Sequence, residues 1–502
     1  MECNKERSGR LPGKAIEDSK KTVSMRITIA IIVLMITGVL CGTPAFSKVK
    51  LPAIWSNNMV LQQKSDIVIR GIARPDANLY CSVSWNAGKP GMVRTDNKGN
   101  FEIRLKTPPG SSKKFTICFD DGERLCLNNI LIGDVWFCSG QSNMEMPVKG
   151  FRGQPVQGSL DAIVTAKADR NIRLFTVKNS WSTKPLTDGI EGQWTSAGPE
   201  EIAGFSAVAY FFVNKLNQCV DIPVAVIDCS WSMSKIEAWM SKDMLAAFPA
   251  IKMPDPDQKE FGWAAGTPTL LYNAMVHPWK GFPVKGMLWY QGEANTSDPQ
   301  LYKKLFPEML KGYRHFFNDD KMPFYYVQLA PWKSENKDAL DWARFRQVQL
   351  ELSKELTDVG MAHTGDLGDE IFIHPPRKKE VGERLALLAL AHTYDIKGFI
   401  ASGPVFESAM ATENAVEVTF KYGEDGLNPE NAMLEGFEIA GADGRFVPAN
   451  AMIVNATARV KVWNDTVKAP VLVRYCFRNY KIGNLVNNYG LPAAPFECST
   501  VK

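Results

Sequence analysis

Three short polar clusters, each following an apolar run, hold the residue types that acyl transfer needs. The first is Cys138-Ser139-Gly140-Gln141-Ser142-Asn143-Met144-Glu145 after DVWF. The second is Ser230-Trp231-Ser232-Met233-Ser234 after VAVIDC, and the third is Tyr290-Gln291-Gly292-Glu293-Ala294-Asn295 after GMLW. A nucleophilic serine needs a sharp strand-to-helix turn that exposes Oγ and aims backbone N–H groups at a developing oxyanion. Gly140 ahead of Ser142 permits that turn. The pattern is not G-x-S-x-G, because Met144 stands at its last position. A competing reading makes Ser142 the cap of the next helix, with Glu145 completing a capping box.

A serine nucleophile also needs a base within hydrogen-bond reach. The chain has five histidines: His277, His315, His363, His374 and His392. His315 and His392 fall in helical stretches, and His277 precedes Pro278 in a loop-like run. His363 lies in a short strand, 359–364, that ends at Gly365-Asp366. His374 sits in the acidic loop 368–375 just before a helix, which suits a base presented at a sheet edge. Position favours His374 and leaves His363 open. Asp366, Asp369 and Glu370 can also be read as paired glycosidase carboxylates, or as a solvated acidic loop. The chain has no H-E-x-x-H, no phosphate-binding or dinucleotide glycine motif and no C-x-x-C pair, so no metal or cofactor is expected.

These clusters must be carried by a sheet whose strands end together, since ligands of open α/β sheets bind beyond the C-terminal strand ends. Residues 131–400 alternate apolar strands (DVWFCSG, VAVIDCS, GMLWYQG, FYYVQLA) with helical stretches, 203–216 and 380–392 being the clearest. That alternation predicts a parallel sheet with helices on both faces. Residues 48–130 instead show short alternating segments separated by turn clusters, a β-sandwich-like pattern. From about 404 a β pattern returns. The expected division is an N-terminal extension and signal peptide (1–47), a β-rich domain (48–130), an α/β hydrolase domain (131–403) and a C-terminal β-rich region (404–502).

The whole chain sets outer bounds. Its 502 residues carry 58 Lys+Arg against 54 Asp+Glu, a balance with no footprint for nucleic acid. Residues 27–40 form an uncharged apolar run after Met25-Arg26 and before Gly42-Thr43-Pro44-Ala45. This is the layout of a secretory signal, too short for a confident membrane span. The expectation is therefore a secreted or periplasmic protein without a membrane span, with Cys41 leaving a lipid anchor as the lesser alternative. Eight of the ten cysteines lie outside residues 1–47. Export permits some to pair, while Cys229 in VAVIDCS reads as a buried thiol.

At the three clusters the chain resembles sialate O-acetylesterases, a branch of the SGNH-type esterases. The block 133–145 is similar to the nucleophile block of that family. Leu288-Trp289-Tyr290-Gln291-Gly292-Glu293-Ala294-Asn295 resembles its W-x-Q-G-E block. Asp366-Leu367-Gly368-Asp369, Ile373-His374-Pro375 and Lys379-Glu380-Val381-Gly382-Glu383-Arg384 resemble its histidine block. The resemblance spans about residues 50–500 and implies a flavodoxin-like α/β core with β-rich flanks. It implies hydrolysis of acetyl esters on O-acetylated sialic acid, with Ser142 as nucleophile and His374 as base and later acid. Acetylated xylan or another glycan is the alternative substrate. A glycan-binding protein with decayed catalysis is the reading from another class.

For the acid that orients His374 the resemblance suggests Glu293, since Ile371 occupies the usual position three residues before the histidine; Asp369 ranks second, and Asp366 or a backbone carbonyl stays open. It implies oxyanion donors from the Ser142 N–H, the Ser232 cluster and the Gln291 side chain, with Gln141 and Asn143 beside the substrate. Arg346, in a segment similar to one of the family, is a candidate partner for a sialate carboxylate, or else a helix-surface charge. One departure stands out: Ser232-Met233-Ser234 replaces the family's Gly-Gly-Thr. A glycine there would allow positive φ or close approach, so Met233 is expected to narrow the pocket or misplace a donor.

Overall fold

The apolar run ahead of Ser142 is the second half of a long strand, β1 (Arg124–Gly140), buried without interruption from Ile130 onward. In the computed structural model, residues 49–500 are described apart from 87, 89, 169 and 456. The signal-like segment with Cys3 and Cys41 lies outside the described residues. Around β1 runs a mixed sheet of β2 (Ile172–Thr176), β3 (Trp194–Ser196), β4 (Val224–Ser230), β5 (Gly286–Tyr290), β6 (Phe324–Val327) and β7 (Val359–Ala362). The spatial order is β7-β6-β5-β1-β4-β2-β3. All neighbours are parallel except the edge strand β3. Strands covered on both faces read as continuous apolar runs rather than alternating ones, which is why VAVIDCS and GMLWY are buried throughout.

Strand order reverses at β1: β2 and β4 lie to one side, β5, β6 and β7 to the other. Such a switch point opens a crevice at the C-terminal strand ends, and all three polar clusters emerge there. The helices that flank the sheet are α1 (Ser142–Glu145), α2 (Ala207–Asn217), α3 (Pro299–Phe317), α4 (Asp341–Glu355) and α5 (Lys378–His392). α2 starts later than the pattern predicted because Ser206 caps it, its side chain accepting from the Ala209 N–H. α3 starts at Asp298, whose side chain accepts from the Leu301 N–H, with Pro299 in the first turn, and ends at Asn318 in the left-handed region. α2 packs against α5, and α3 against α4.

The β-rich flanks are built onto this core. Val49–Lys502 forms one compact unit, and β1 runs across the expected boundary at 130. Its first half pairs antiparallel with Ser111–Asp120, and Cys118 is disulfide-bonded to Cys126 across that pair. Val60–Gln62 lies parallel to residues 131–133, where Gln62 donates to Asp134 at 2.7 Å and accepts from the Val135 N–H at 2.9 Å. Strands from Val405–Ala411 to Phe496–Ser499 form the C-terminal sheets. Cys229 is a buried free thiol. Among the described residues no helix is long and apolar enough to cross a membrane.

Candidate active site

Gly140 ends β1 at φ +145°, and a Cβ there would meet the Tyr290 carbonyl oxygen at 2.1 Å. Only glycine lets β1 turn this close to β5. The turn makes Gln141 the N-cap residue of α1, without a side-chain capping bond, and puts Ser142 in the first helical position. The capping-box alternative for Ser142 is not what forms. Glu145 instead accepts from the Ser232 N–H at 2.6 Å, from the Ser232 hydroxyl, and from Asn179 Nδ2 at 3.0 Å.

Asn143 ties three elements together. Its Nδ2 donates to Glu293 Oε1 at 2.5 Å and to the Ile373 carbonyl at 3.1 Å, and its Oδ1 accepts from Lys378 Nζ. The residue after Ser142 is thereby fastened to the residue before His374. Glu293 Oε2 is buried without a partner. Burial pushes the Glu293 carboxyl up and pulls Lys378 down to about 7, the neighbouring Glu293 partly opposing the latter. The two groups are a desolvated acid–base pair bridged by one amide.

His374 Nδ1 lies 2.7 Å from Gln154 Oε1. An amide oxygen only accepts, so Nδ1 carries the hydrogen and Nε2 is left unprotonated, with its lone pair free to accept. The loop holding Gln154 closes through a Phe151–Gln154 bridge, and the Gln157 N–H donates to the Pro376 carbonyl. The Phe151 ring packs edge-on to the imidazole, centroids 5.3 Å apart. Burial first, and the Lys378 ammonium second, hold the His374 pKa down to about 4. The imidazole is therefore neutral at neutral pH.

Several residues singled out by the sequence are engaged elsewhere. Glu293 bonds Asn143 rather than His374. Asp369 Oδ1 accepts from the Ile371 and Phe372 N–H groups and shapes the loop before His374. Gln291 Nε2 is shared among Gln141 Oε1, the Ser234 carbonyl and Asn295 Oδ1, while Gln141 Oε1 also accepts from the Gly292 and Ala294 N–H groups. These bonds brace the loops and occupy the Gln291 Nε2 and the Gln141 Oε1. The Ser232 N–H is taken by Glu145, whereas the Ser142 and Met233 N–H groups have no hydrogen bond among the described residues. Arg346 is fully buried in α4, with its guanidinium on the Arg478 and Asn479 carbonyls. It is not a surface charge, and its guanidinium bonds run to the C-terminal loop. His363 is buried against Ser402, and Asp366 is held by Arg384 in a two-point ion pair.

Nothing local in the chain singles out Gln154 or Lys378. A glutamine in a Gly/Pro loop carries no catalytic signature, and a lysine at the start of a basic helix reads as a solvated charge. Only the bonds each makes across the crevice mark them out.

Known proteins fit this arrangement. The profile of the carbohydrate esterase, sialic acid-specific acetylesterase family matches residues 132–391. The sialate O-acetylesterase of Pongo abelii is 27% identical, covering 88% of this chain and 91% of its own. That of Homo sapiens is also 27% identical, over 74% and 76%. A carbohydrate acetylesterase from Xanthomonas citri superimposes with a TM-score of 0.80 at 32% identity, covering 90% of this chain and 100% of its own. With the strand-end crevice, the serine turn and the neutral histidine already in place, the chain belongs to the sialic acid-specific acetylesterase family and is a carboxylic ester hydrolase.

Proposed function

We propose that the protein is an exported esterase that removes acetyl groups from O-acetylated sialic acid, with Ser142 and His374 as its catalytic pair. His374 Nε2 takes the Ser142 proton as Oγ attacks the acetyl carbonyl. The tetrahedral oxyanion is met by the free Ser142 and Met233 N–H groups. On collapse the C–O bond to the sugar breaks, and Nε2–H protonates the departing sugar oxygen. Water then attacks the acetyl-enzyme, again losing its proton to His374, and acetate leaves. Gln154 holds the tautomer throughout, and the Glu293–Asn143–Lys378 network fixes the spacing of the two loops.

The observation that carries this reading is Asn143, which fastens the serine turn to the histidine loop while His374 is kept neutral. The strands β1, β4, β5, β6 and β7 support a flavodoxin-like core, since they run in the order 2-1-3-4-5, with β2 and β3 added beyond β4. The Cys118–Cys126 pair supports an oxidising compartment, in keeping with the signal-like segment.

A neutral glycan such as acetylated xylan is the second reading. It is favoured by the burial of Arg346, which removes the cation first expected for the sialate carboxylate. Acetate release by the mature wild-type protein from O-acetylated sialic acid, acetylated xylan and an aryl acetate separates the two. Preference for the sialate ester is expected. Release from xylan alone would move the substrate and keep the mechanism.

A further inference from the structure

We infer that Trp263, Met233 and Lys235 form a subsite beside the acyl site that receives the sugar ring and the carboxylate of an acidic sugar. The inference rests on the sialate reading above and gives it the cation that Arg346 does not supply. The loop after β4 is locked to the serine turn, with the Trp231 N–H and the Ser234 hydroxyl both donating to the Gly140 carbonyl. From that loop Met233 projects into solvent at 67% exposure, from a backbone at φ +59°. A non-glycine residue there carries strain of the sort that clusters at ligand sites.

Trp263 stands next to it. Its Nε1–H donates to the Met233 carbonyl at 3.1 Å. Gly266 backs the ring so closely that a Cβ there would lie 2.4 Å from it. The indole is nonetheless 43% exposed. It is a large apolar surface held rigid at the lip of a polar crevice, with its one polar atom already satisfied, which is what stacking on a sugar ring requires. Lys235 Nζ sits 5.4 Å from the ring centroid, and Lys235 makes no ion pair among the described residues. A cation without a counter-ion beside an exposed ring suits a sugar that carries its own carboxylate.

The test compares kcat/KM for O-acetylated sialic acid with that for an aryl acetate, as a ratio, in wild type and variants. Trp263→Ala is expected to lower the ratio about three- to tenfold, and Trp263→Phe, which keeps a ring, by less. Lys235→Gln is expected to lower it up to about fivefold, to flatten its salt dependence, and to leave the corresponding ratio for acetylated xylan unmoved. Met233→Gly should raise Tm by relieving the backbone while lowering the sialate ratio. An unchanged ratio in both Trp263→Ala and Lys235→Gln overturns the subsite. So does a loss confined to Arg152→Gln, an exposed cation in the loop that carries Gln154. Failure of the sialate reading itself shows in wild type, which would then hydrolyse the aryl acetate and not the sialate ester, and that result overturns both.

Discussion

At the level of single residues, catalysis as proposed depends on which group holds which. Gln154 holds His374, and Glu293 holds Asn143. Removing the Gln154 amide frees the ring, so Gln154→Ala should lower kcat about 10²-fold. Gln154→Glu should move the acid limb of kcat/KM upward, because an adjacent carboxylate favours the imidazolium. Glu293→Gln keeps an acceptor for Asn143 and should lower kcat less than about tenfold, with the acid limb unmoved. A carboxylate that oriented the histidine would cost about 10⁴ on the same change. In wild type that limb should lie near pH 4 rather than 6.5, since burial keeps His374 neutral down to that point. The same depression acts on stability. Unfolding returns His374 and His363 to about 6.5, from about 4 and about 3. The unfolded chain thus binds more protons as pH falls through that window, and this contribution to stability is lost there. Urea melts between pH 6.5 and 4 would register the loss.

At the scale of elements, much could be read ahead of the structure. The strand-end clusters, the histidine loop and the two clearest helices are legible because apolar runs, turn residues and caps are local signals. What stayed hidden is non-local. Arg346 sits at a helical position open to a surface reading, yet the C-terminal loop 476–480 folds over it. Gln291 and Gln141 read as substrate-facing amides, yet each finds the other across β1 and β5. Ser232 read as an oxyanion donor, yet Glu145, one turn after Ser142, reaches its N–H first. In each case the partner lies at a distance in sequence that no periodicity encodes. In the proposed mechanism the element that positions the nucleophile is the β1–α1 turn. Gly140→Ala must push β1 away from the Tyr290 carbonyl and is expected to destabilise by about 2–4 kcal/mol. It should also reduce turnover of every ester, since Ser142 moves with the turn. Thermal melts and aryl-acetate kinetics check the two effects separately.

At the scale of the whole molecule, the β-rich flanks act as braces. The N-terminal sheet is continuous with β1, and Gln62 sits on Asp134 at the start of the buried half of that strand. The C-terminal region grips α4 through Arg346 on the Arg478 and Asn479 carbonyls, and through Asn479 Oδ1 on the Trp342 N–H at 2.9 Å. Arg346→Met should therefore lower stability by about 2–3 kcal/mol, by leaving buried carbonyls unpaired, and leave KM for the sialate ester near wild type. A residue that met the substrate carboxylate would do the reverse. The switch-point crevice gathers clusters separated by some 150 residues of chain, as the Asn143–Glu293 bond records. In the proposed mechanism Ser142 forms and breaks the acyl bond. Acetate release from O-acetylated sialic acid by Ser142→Ala beside wild type tests it most directly. A fall in kcat of about 10⁴–10⁶ is expected, in a variant that melts like wild type. Turnover within tenfold of wild type would contradict it.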